Sequence, residues 1–188
     1  SRLPTPDLKW ETNLNLNVGL EFAILNNRIR GNVEYFKRQS KDLLFTMPLA
    51  PSVGFNGYSD NIGELQNTGF EISLQTTPVK TENFRWDLDI NATTTKNKIT
   101  KLPKGSIVSG TKLLQVGGSV YDFFIPTWAG VDPNNGAPLW KTLTTDASGN
   151  TVEGTTSEYS KATKMLQGSS LPKWIGGIST SVTYKNFD

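Results

Sequence analysis

The chain has 188 residues, a formal net charge of +2 and a hydrophobic content of 36%. Charges of both signs are scattered along it, which does not indicate nucleic-acid binding, and no apolar run approaches the roughly 20 residues of a membrane-spanning helix. Histidine and cysteine are both absent, so disulfides, the usual zinc sites and the common acid–base arrangements are excluded. We therefore expect no metal, no cofactor and no catalytic residue.

The most regular feature of the sequence is a strict alternation of apolar and polar residues from 13 to 22. On a strand, alternate residues share a face, and one face would carry Leu14, Leu16, Val18, Leu20 and Phe22. A strand of roughly 10 residues, tilted by about 45°, matches the hydrocarbon thickness of a bilayer. The pattern predicts a long strand with one apolar face and one wet face.

Four more strands of the same kind are predicted farther along the chain. They run from Arg28 towards Phe45, from Asn67 to about Thr77, from Phe84 to about Thr95, and from about Ile175 to Phe187. The connections after the first and third strands are short. Those after the second and fourth strands are predicted as long loops, covering Met47 to Gln66 and Lys96 to Trp174, with short hairpins near 108–116 and 139–152.

Short and long connections therefore alternate, as they do in outer-membrane barrels with short periplasmic turns and long extracellular loops. Aromatic residues that suit a membrane interface lie near the short turns: Phe22, Phe84, Trp86, Tyr184 and Phe187. We predict an all-β fold, an antiparallel up-and-down segment of a transmembrane β-barrel. The alternative is a soluble, surface-exposed β-sandwich that binds glycan, in which the same apolar faces pack against a second sheet.

Several short strings, in order across nearly the whole chain, resemble the SusC/RagA-type TonB-dependent outer-membrane transporters of Bacteroidetes. They are L-K-W-E-T at 8–12, G-L-E-F at 19–22, N-R-I-R-G-N-V-E-Y-F at 27–36, K-D-L-L at 41–44, N-I-G-E-L-Q-N-T-G-F-E-I at 61–72, G-V-D-P-N-N-G-A-P at 130–138, L-P-K-W-I-G-G at 171–177 and Y-K-N-F-D at 184–188. Each string alone is weak, and their order makes the resemblance specific.

The resemblance implies a 22-stranded barrel with an N-terminal plug, of which residues 1–188 would be a C-terminal-region part with about five strands. It implies a SusD-like surface lipoprotein as partner, energy supplied through TonB by way of an N-terminal region outside this chain, and import of large nutrients. Glycans are the expected substrates and peptides the alternative. No signal peptide is visible, so we expect a mature or internal segment of an outer-membrane protein in contact with lipid.

Three aromatic residues in the longest predicted loop are candidates for contact with a ligand or partner: Trp128, Trp140 and Tyr159. Aromatic rings provide flat apolar faces on which a sugar stacks, and they anchor protein interfaces. A loop of this length also needs a small core of its own. Packing within the loop is the favoured interpretation for Trp128 and Trp140.

Two groups of side chains with oxygen atoms could suggest metal binding or catalysis, and each has a simpler structural explanation. Asp132, Asn134 and Asn135 in G-V-D-P-N-N-G offer oxygen donors, but Ca²⁺ generally takes six to eight oxygens, and a tight turn explains the string better. Asp87 and Asp89 could suggest the two acids of a glycoside hydrolase. A hydrated barrel wall, with Arg beside Asp, is the favoured interpretation, and we do not expect an enzyme.

Overall fold

The computed structural model of the protein describes residues 8–48, 54, 57–103 and 105–188. Apart from one short 3-10 helix, Tyr159–Lys161, the regular elements in these ranges are all strands. They are β1 (Thr12–Ile24), β2 (Ile29–Pro48), β3 (Gly57–Lys80), β4 (Phe84–Lys101), β5 (Ser106–Ser109), β6 (Lys112–Gln115), β7 (Asp122–Pro126), β8 (Trp128–Val131), β9 (Pro138–Thr145), β10 (Thr151–Thr156), β11 (Lys164–Ser169) and β12 (Trp174–Tyr184). Within the described ranges, no helix has the length and apolar character needed to cross a bilayer.

The chain divides into two compact units, and the larger one is a single antiparallel sheet. This unit comprises residues 1–103 and 171–188, and its strand order is β1-β2-β3-β4-β12. Neighbours in the sheet are neighbours along the chain, apart from the second unit inserted between β4 and β12. The predicted up-and-down sheet is confirmed. The sandwich alternative is wrong for these strands, because apolar side chains on one face stay exposed, as Leu20 (67%) and Ile178 (74%) do.

The second unit, residues 104–170, contains the seven short strands β5 to β11 of the described chain. They form a three-stranded sheet, β10-β9-β8, and a four-stranded sheet, β11-β7-β6-β5. The hairpins expected near 108–116 and 139–152 are β5–β6 and β9–β10. The remainder of this region, expected to be irregular, also contains strands. Most of them have four to six residues and are too short to display a convincing alternation.

Strand pairing in the larger sheet keeps all five apolar patterns on one face. Residues directly opposite each other in an antiparallel pair share a face, and one such row joins Val18, Tyr35, Phe70, Thr94 and Trp174. We call this side the apolar face. The opposite side, which carries the Asn, Glu, Asp and Arg residues that alternate with these positions, is the polar face.

The hairpin of β2 and β3 extends farther than the sequence predicts. Met47 to Gln66 was expected to be a loop, whereas β2 continues to Pro48 and β3 begins at Gly57, with 49–53, 55 and 56 outside the described residues. Asp42 interrupts the ladder with a positive φ of 55°. The Asn61 side chain spans this irregularity by donating to the carbonyl oxygens of Asp42 (2.6 Å) and Lys9 (2.8 Å). These bonds let a polar segment remain in the sheet.

Two phenylalanines fix the register of the sheet by covering glycines on the neighbouring strand. On the polar face Phe36 is only 4% exposed, and its ring lies over Gly69, directly opposite on β3. A Cβ at Gly69 would lie 2.6 Å from the ring and 1.9 Å from the Thr94 carbonyl oxygen. On the apolar face Phe22 covers Gly31 in the same way. Pairs of this kind specify register, because a shift would separate the ring from the glycine.

Replacing Gly69 with Ala should therefore destabilise the sheet by about 1–3 kcal/mol, the usual cost of overpacking. Gly19→Ala is the matched control, since a Cβ at Gly19 would meet no atom closer than 3.8 Å. We expect Gly19→Ala to change the free energy of unfolding by less than about 0.5 kcal/mol. The measurement is denaturant unfolding of the full-length protein in lipid vesicles, and equal effects of the two substitutions would contradict the close approach at Gly69.

Candidate functional site

The apolar face carries aromatic side chains in two separate rows. The row near the short turns contains Phe84 and Tyr184, directly opposite each other, with Trp86 one row farther in. Phe22, also expected there from the sequence, lies in the row of Ile90 and Ile178. A second row lies near the long connections and contains Tyr35, Phe70 and Trp174. Tyr35 and Phe70 are in contact, with ring centroids 5.3 Å apart. The sequence did not indicate the second row, because its members come from three strands and meet only once the register is known.

The spacing of the two rows matches the thickness of a membrane. Trp174 and Tyr184 mark the two rows on β12 and are ten residues apart. At about 3.3 Å per residue this is about 33 Å along the strand, or about 25 Å along the membrane normal for a tilt of about 40°. Outer-membrane barrels have an apolar band of about 25 Å between aromatic girdles. The apolar face therefore has the dimensions of a lipid-contacting surface.

On the polar face, Asp87 forms an ion pair within its own strand. Arg85 Nε lies 2.6 Å from Asp87 Oδ2, and the Thr77 hydroxyl donates to Oδ1 at 2.7 Å. Both carboxylate oxygens of Asp87 thus have partners. Asp89 follows on the same face, opposite Ser179 of β12. This arrangement fits a hydrated wall with balanced charge better than a pair of acids around a scissile bond.

The G-V-D-P-N-N-G string forms a compact turn between β8 and β9. Asp132 Oδ1 accepts a hydrogen bond from the Asn134 backbone N–H (2.9 Å), and Asn135 Oδ1 accepts one from that of Ala137 (2.8 Å). The Gly136 N–H donates to the Asp132 carbonyl at 2.8 Å. The oxygens that suggested a calcium loop therefore stabilise the turn itself. In the described part of the chain, no group of three or more acidic side chains is placed to hold a metal ion.

The structure brings the three candidate aromatic residues of the second unit together. Trp128 on β8 lies directly opposite Trp140 on β9, and the 3-10 helix places Tyr159 beside Trp140. Both contacts are edge-to-face, with centroids 5.3 Å apart for Trp128 and Trp140 and 5.0 Å apart for Trp140 and Tyr159. We call these three residues the aromatic cluster. Each edge-to-face pair is worth about 0.5–1.5 kcal/mol beyond the area it buries.

The members of the aromatic cluster differ in exposure. Trp140 is half-buried between the other two rings, whereas Trp128 and Tyr159 are 53% and 56% exposed. A hydrogen bond from the Thr163 N–H to the Lys141 carbonyl (3.0 Å) ties the segment after the 3-10 helix to β9. Trp140 therefore orders the cluster, and the two outer rings leave apolar surface free. Such surface can stack on a sugar ring or anchor a protein partner.

Comparison with known proteins identifies the family. A family model described as TonB dependent receptor-like, beta-barrel, matches residues 1–187. The chain belongs to this family. A TonB-dependent receptor of Formosa agariphila is 31% identical over all of the chain, and the TonB-dependent receptor SusC of Bacteroides thetaiotaomicron is 32% identical over 97% of it. The chain spans about a fifth of the length of these relatives.

A solved structure supports the same assignment. The structure of the RagAB peptide transporter has a TM-score of 0.81 to this chain at 30% identity, covering 97% of this chain and 21% of that one. The resemblance to SusC and RagA inferred from the sequence is confirmed. TonB-dependent receptors are outer-membrane transporters and not enzymes.

The turn between β9 and β10 of this TonB-dependent receptor chain depends on Asp146. Its Oδ1 accepts hydrogen bonds from the backbone N–H groups of Asn150 (2.8 Å) and Ser148 (2.9 Å). These bonds, the one from Asn150 foremost, hold the pKa of Asp146 below its ordinary value, because they stabilise the charged carboxylate. The sequence indicated a turn at D-A-S-G-N, and Asp146 is the residue that organises it.

Acid should loosen this turn. Because the pKa of Asp146 is lower in the folded than in the unfolded chain, its stabilising effect is present above the ordinary value of about 3.9 and is lost as pH falls through the folded value. We expect protection factors at Gly149 and Asn150, measured by hydrogen exchange in the intact protein, to fall in this acidic window. Asp146→Asn keeps an acceptor without titrating, so its protection should stay constant. An identical loss in both proteins would assign the effect to another group.

Proposed function

We propose that this chain forms part of the barrel wall of an outer-membrane transporter that imports large nutrients through TonB together with a SusD-like surface lipoprotein. Glycans are the proposed substrates, and peptides are the alternative. The observation that carries the proposal is the exposed apolar face, whose two aromatic rows are separated by the thickness of a bilayer. Similarity to SusC and to the RagAB peptide transporter supports the lipoprotein partner, and the latter supports peptides as a substrate class. Glycans are the substrates that the sequence resemblance implies.

The proposed orientation follows from the connections between strands. β1 and β2 are joined through residues 25–28, and β3 and β4 through residues 81–83, at the same end of the sheet. At the other end β4 ends and β12 begins, so the second unit is inserted into the chain there. Short turns are periplasmic in barrels of this kind. The second unit is therefore proposed to lie outside the cell, where substrate and the SusD-like lipoprotein are first met.

The aromatic cluster is proposed as the contact site of this extracellular unit. Trp128 and Tyr159 present exposed rings, and Thr127, the residue before Trp128, accepts a hydrogen bond from the Gln167 amide. Exposed aromatic rings suit both a sugar and a protein loop. We propose that Trp140 packs within the unit and that Trp128, for which the sequence favours packing, binds together with Tyr159.

The lipid contact is tested by two neighbouring residues of β4 on opposite faces. Leu88 lies about midway between the aromatic rows, so Leu88→Arg should destabilise the full-length barrel in a bilayer by about 2–4 kcal/mol. Asp89→Asn, on the polar face, should have little effect because its side chain stays in water. The measurement is the free energy of unfolding in vesicles. Equal tolerance at the two positions would mean that the apolar face does not meet lipid.

The binding role is tested by Trp128→Ala in the intact transporter. We expect weaker binding of the purified SusD-like lipoprotein or of a panel of oligosaccharides and short peptides, by about 2 kcal/mol if Trp128 is a main anchor. The abundance of the protein in the outer membrane should not change. Tyr159→Phe is the control, since it keeps the ring. If the Trp128→Ala and Tyr159→Ala variants both bind normally, the aromatic cluster only packs within the unit and does not bind.

A further inference from the structure

The apolar face has a row of lysines immediately beyond the second aromatic row. Lys37 on β2 and Lys96 on β4 lie in the same row, on either side of Thr68 on β3. Strands are about 4.8 Å apart, so the two lysine backbones are separated by about 10 Å, with only the short threonine between them. Their long, flexible stems allow both ammonium groups to approach one anion above Thr68.

Charge is distributed unevenly over this face. Among the described residues, the apolar face has no charged side chain between the two aromatic rows. The first charges beyond Tyr35 and Phe70 are Lys37 and Lys96, and Lys98 follows one row farther out. The acid nearest to them on this face is Glu64, whose carboxylate is contacted by the Gln39 amide at 3.5 Å. Beyond the second aromatic row, the apolar face is therefore bounded by cationic side chains.

A groove opens on the apolar face at the same place. It has a volume of about 520 Å³, and its lining includes the aromatic residues Tyr35, Phe70 and Trp174 together with Lys96 and Lys173. Phe70 and Trp174 are 49% and 67% exposed. Both lysines lie farther from the centre of the apolar face than the aromatic residues of the groove do. The groove thus joins apolar walls to a cationic end.

We propose that this groove and Lys37 bind a lipid of the outer leaflet that carries a phosphate on its headgroup. Its acyl chain would lie against the aromatic residues, and its phosphate would pair with Lys37 and Lys96. A free anion would gain nothing from contact with the apolar walls of the groove, and a neutral lipid would form no ion pair with the lysines. The inference rests on the proposed function, because it requires the apolar face to lie in the outer membrane.

The test uses the full-length receptor in detergent micelles and native mass spectrometry of bound lipid. The probes are bisphosphorylated lipid A and the same lipid with its phosphates removed. Each lysine near an anionic lipid surface contributes about fivefold in affinity, so Lys96→Gln should weaken binding of the phosphorylated lipid about fivefold and the double variant with Lys37→Gln about 25-fold. Binding of the dephosphorylated lipid should not change.

Two control variants make the result specific. Lys96→Arg keeps the charge and should bind as the native protein does. Lys185→Gln removes a lysine that follows β12 at the opposite end of the sheet, and it should have no effect. Inorganic phosphate at millimolar concentration should not displace the lipid, because it makes no contact with the aromatic walls. Efficient displacement would identify a free-anion site and overturn the proposal.

Other results also decide the question. Equal binding of the two lipids by the native protein, or native-like binding by the double variant, would mean that the lysines only extend into water. The native protein and Lys96→Arg give an answer even if a glutamine variant fails to assemble, which heat-dependent migration in gels would reveal. A receptor absent from the outer membrane would overturn the proposed function, whereas a correctly inserted receptor without phosphate preference would overturn this inference alone.

Discussion

In hydrocarbon no water is available to satisfy the backbone, so every peptide group of a spanning strand must bond to a neighbouring strand. This requirement demands pairing along the whole strand, and β1 with β2 and β4 with β12 pair without a register shift, whereas β3 and β4 have an irregularity between Thr76 and Val79. A slip by one residue would transfer every side chain to the other face. Glu34 and Glu71, directly opposite each other on the polar face, would then meet lipid. The register is therefore the condition on which both faces depend.

Side-chain packing reinforces this register from both sides of the sheet. Phe22 covers Gly31 on the apolar face, and Phe36 covers Gly69 on the polar face. These contacts act in different places along the β1–β2–β3 ladder, so a shift of either strand pair would open a gap over one glycine and force a ring against backbone elsewhere. The low hydrophobic content follows from the same design, since only one face of each strand needs to be apolar.

Alternation in the sequence predicted the strand centres well, because its period of two is also the period of the sheet. Alternation did not predict the structure where contacts between residues far apart in the sequence determine it. The extension of β2 and β3 rests on Asn61, whose amide bonds to Lys9 and Asp42 across 52 and 19 positions, and no local pattern reveals such a partner. The row of Tyr35, Phe70 and Trp174 was missed for the related reason that sequence gives no register between distant strands.

The aromatic cluster could be proposed from residue type, but its internal order could not. β8 and β9 bring Trp128 and Trp140 opposite each other, while Tyr159 arrives from a 3-10 helix that follows β10. Packing and binding are both possible roles of such rings. The geometry distinguishes the members, since the central Trp140 has a ring on each side, whereas Trp128 and Tyr159 each have a ring on one side. We propose packing for Trp140 and binding for the other two.

This division has a consequence for how binding energy would arise at the aromatic cluster. A ring held at its edge by a neighbour has lost its rotational freedom before a ligand arrives, so less entropy remains to be lost on binding. Trp140 would then contribute to affinity without touching the ligand, as a positioning residue, and its effect would pass through the orientation of Trp128 and Tyr159. A unit that packs its own aromatic core would then bind more tightly, because that core orients the rings that contact the ligand. Packing and binding would be two roles of the same aromatic cluster.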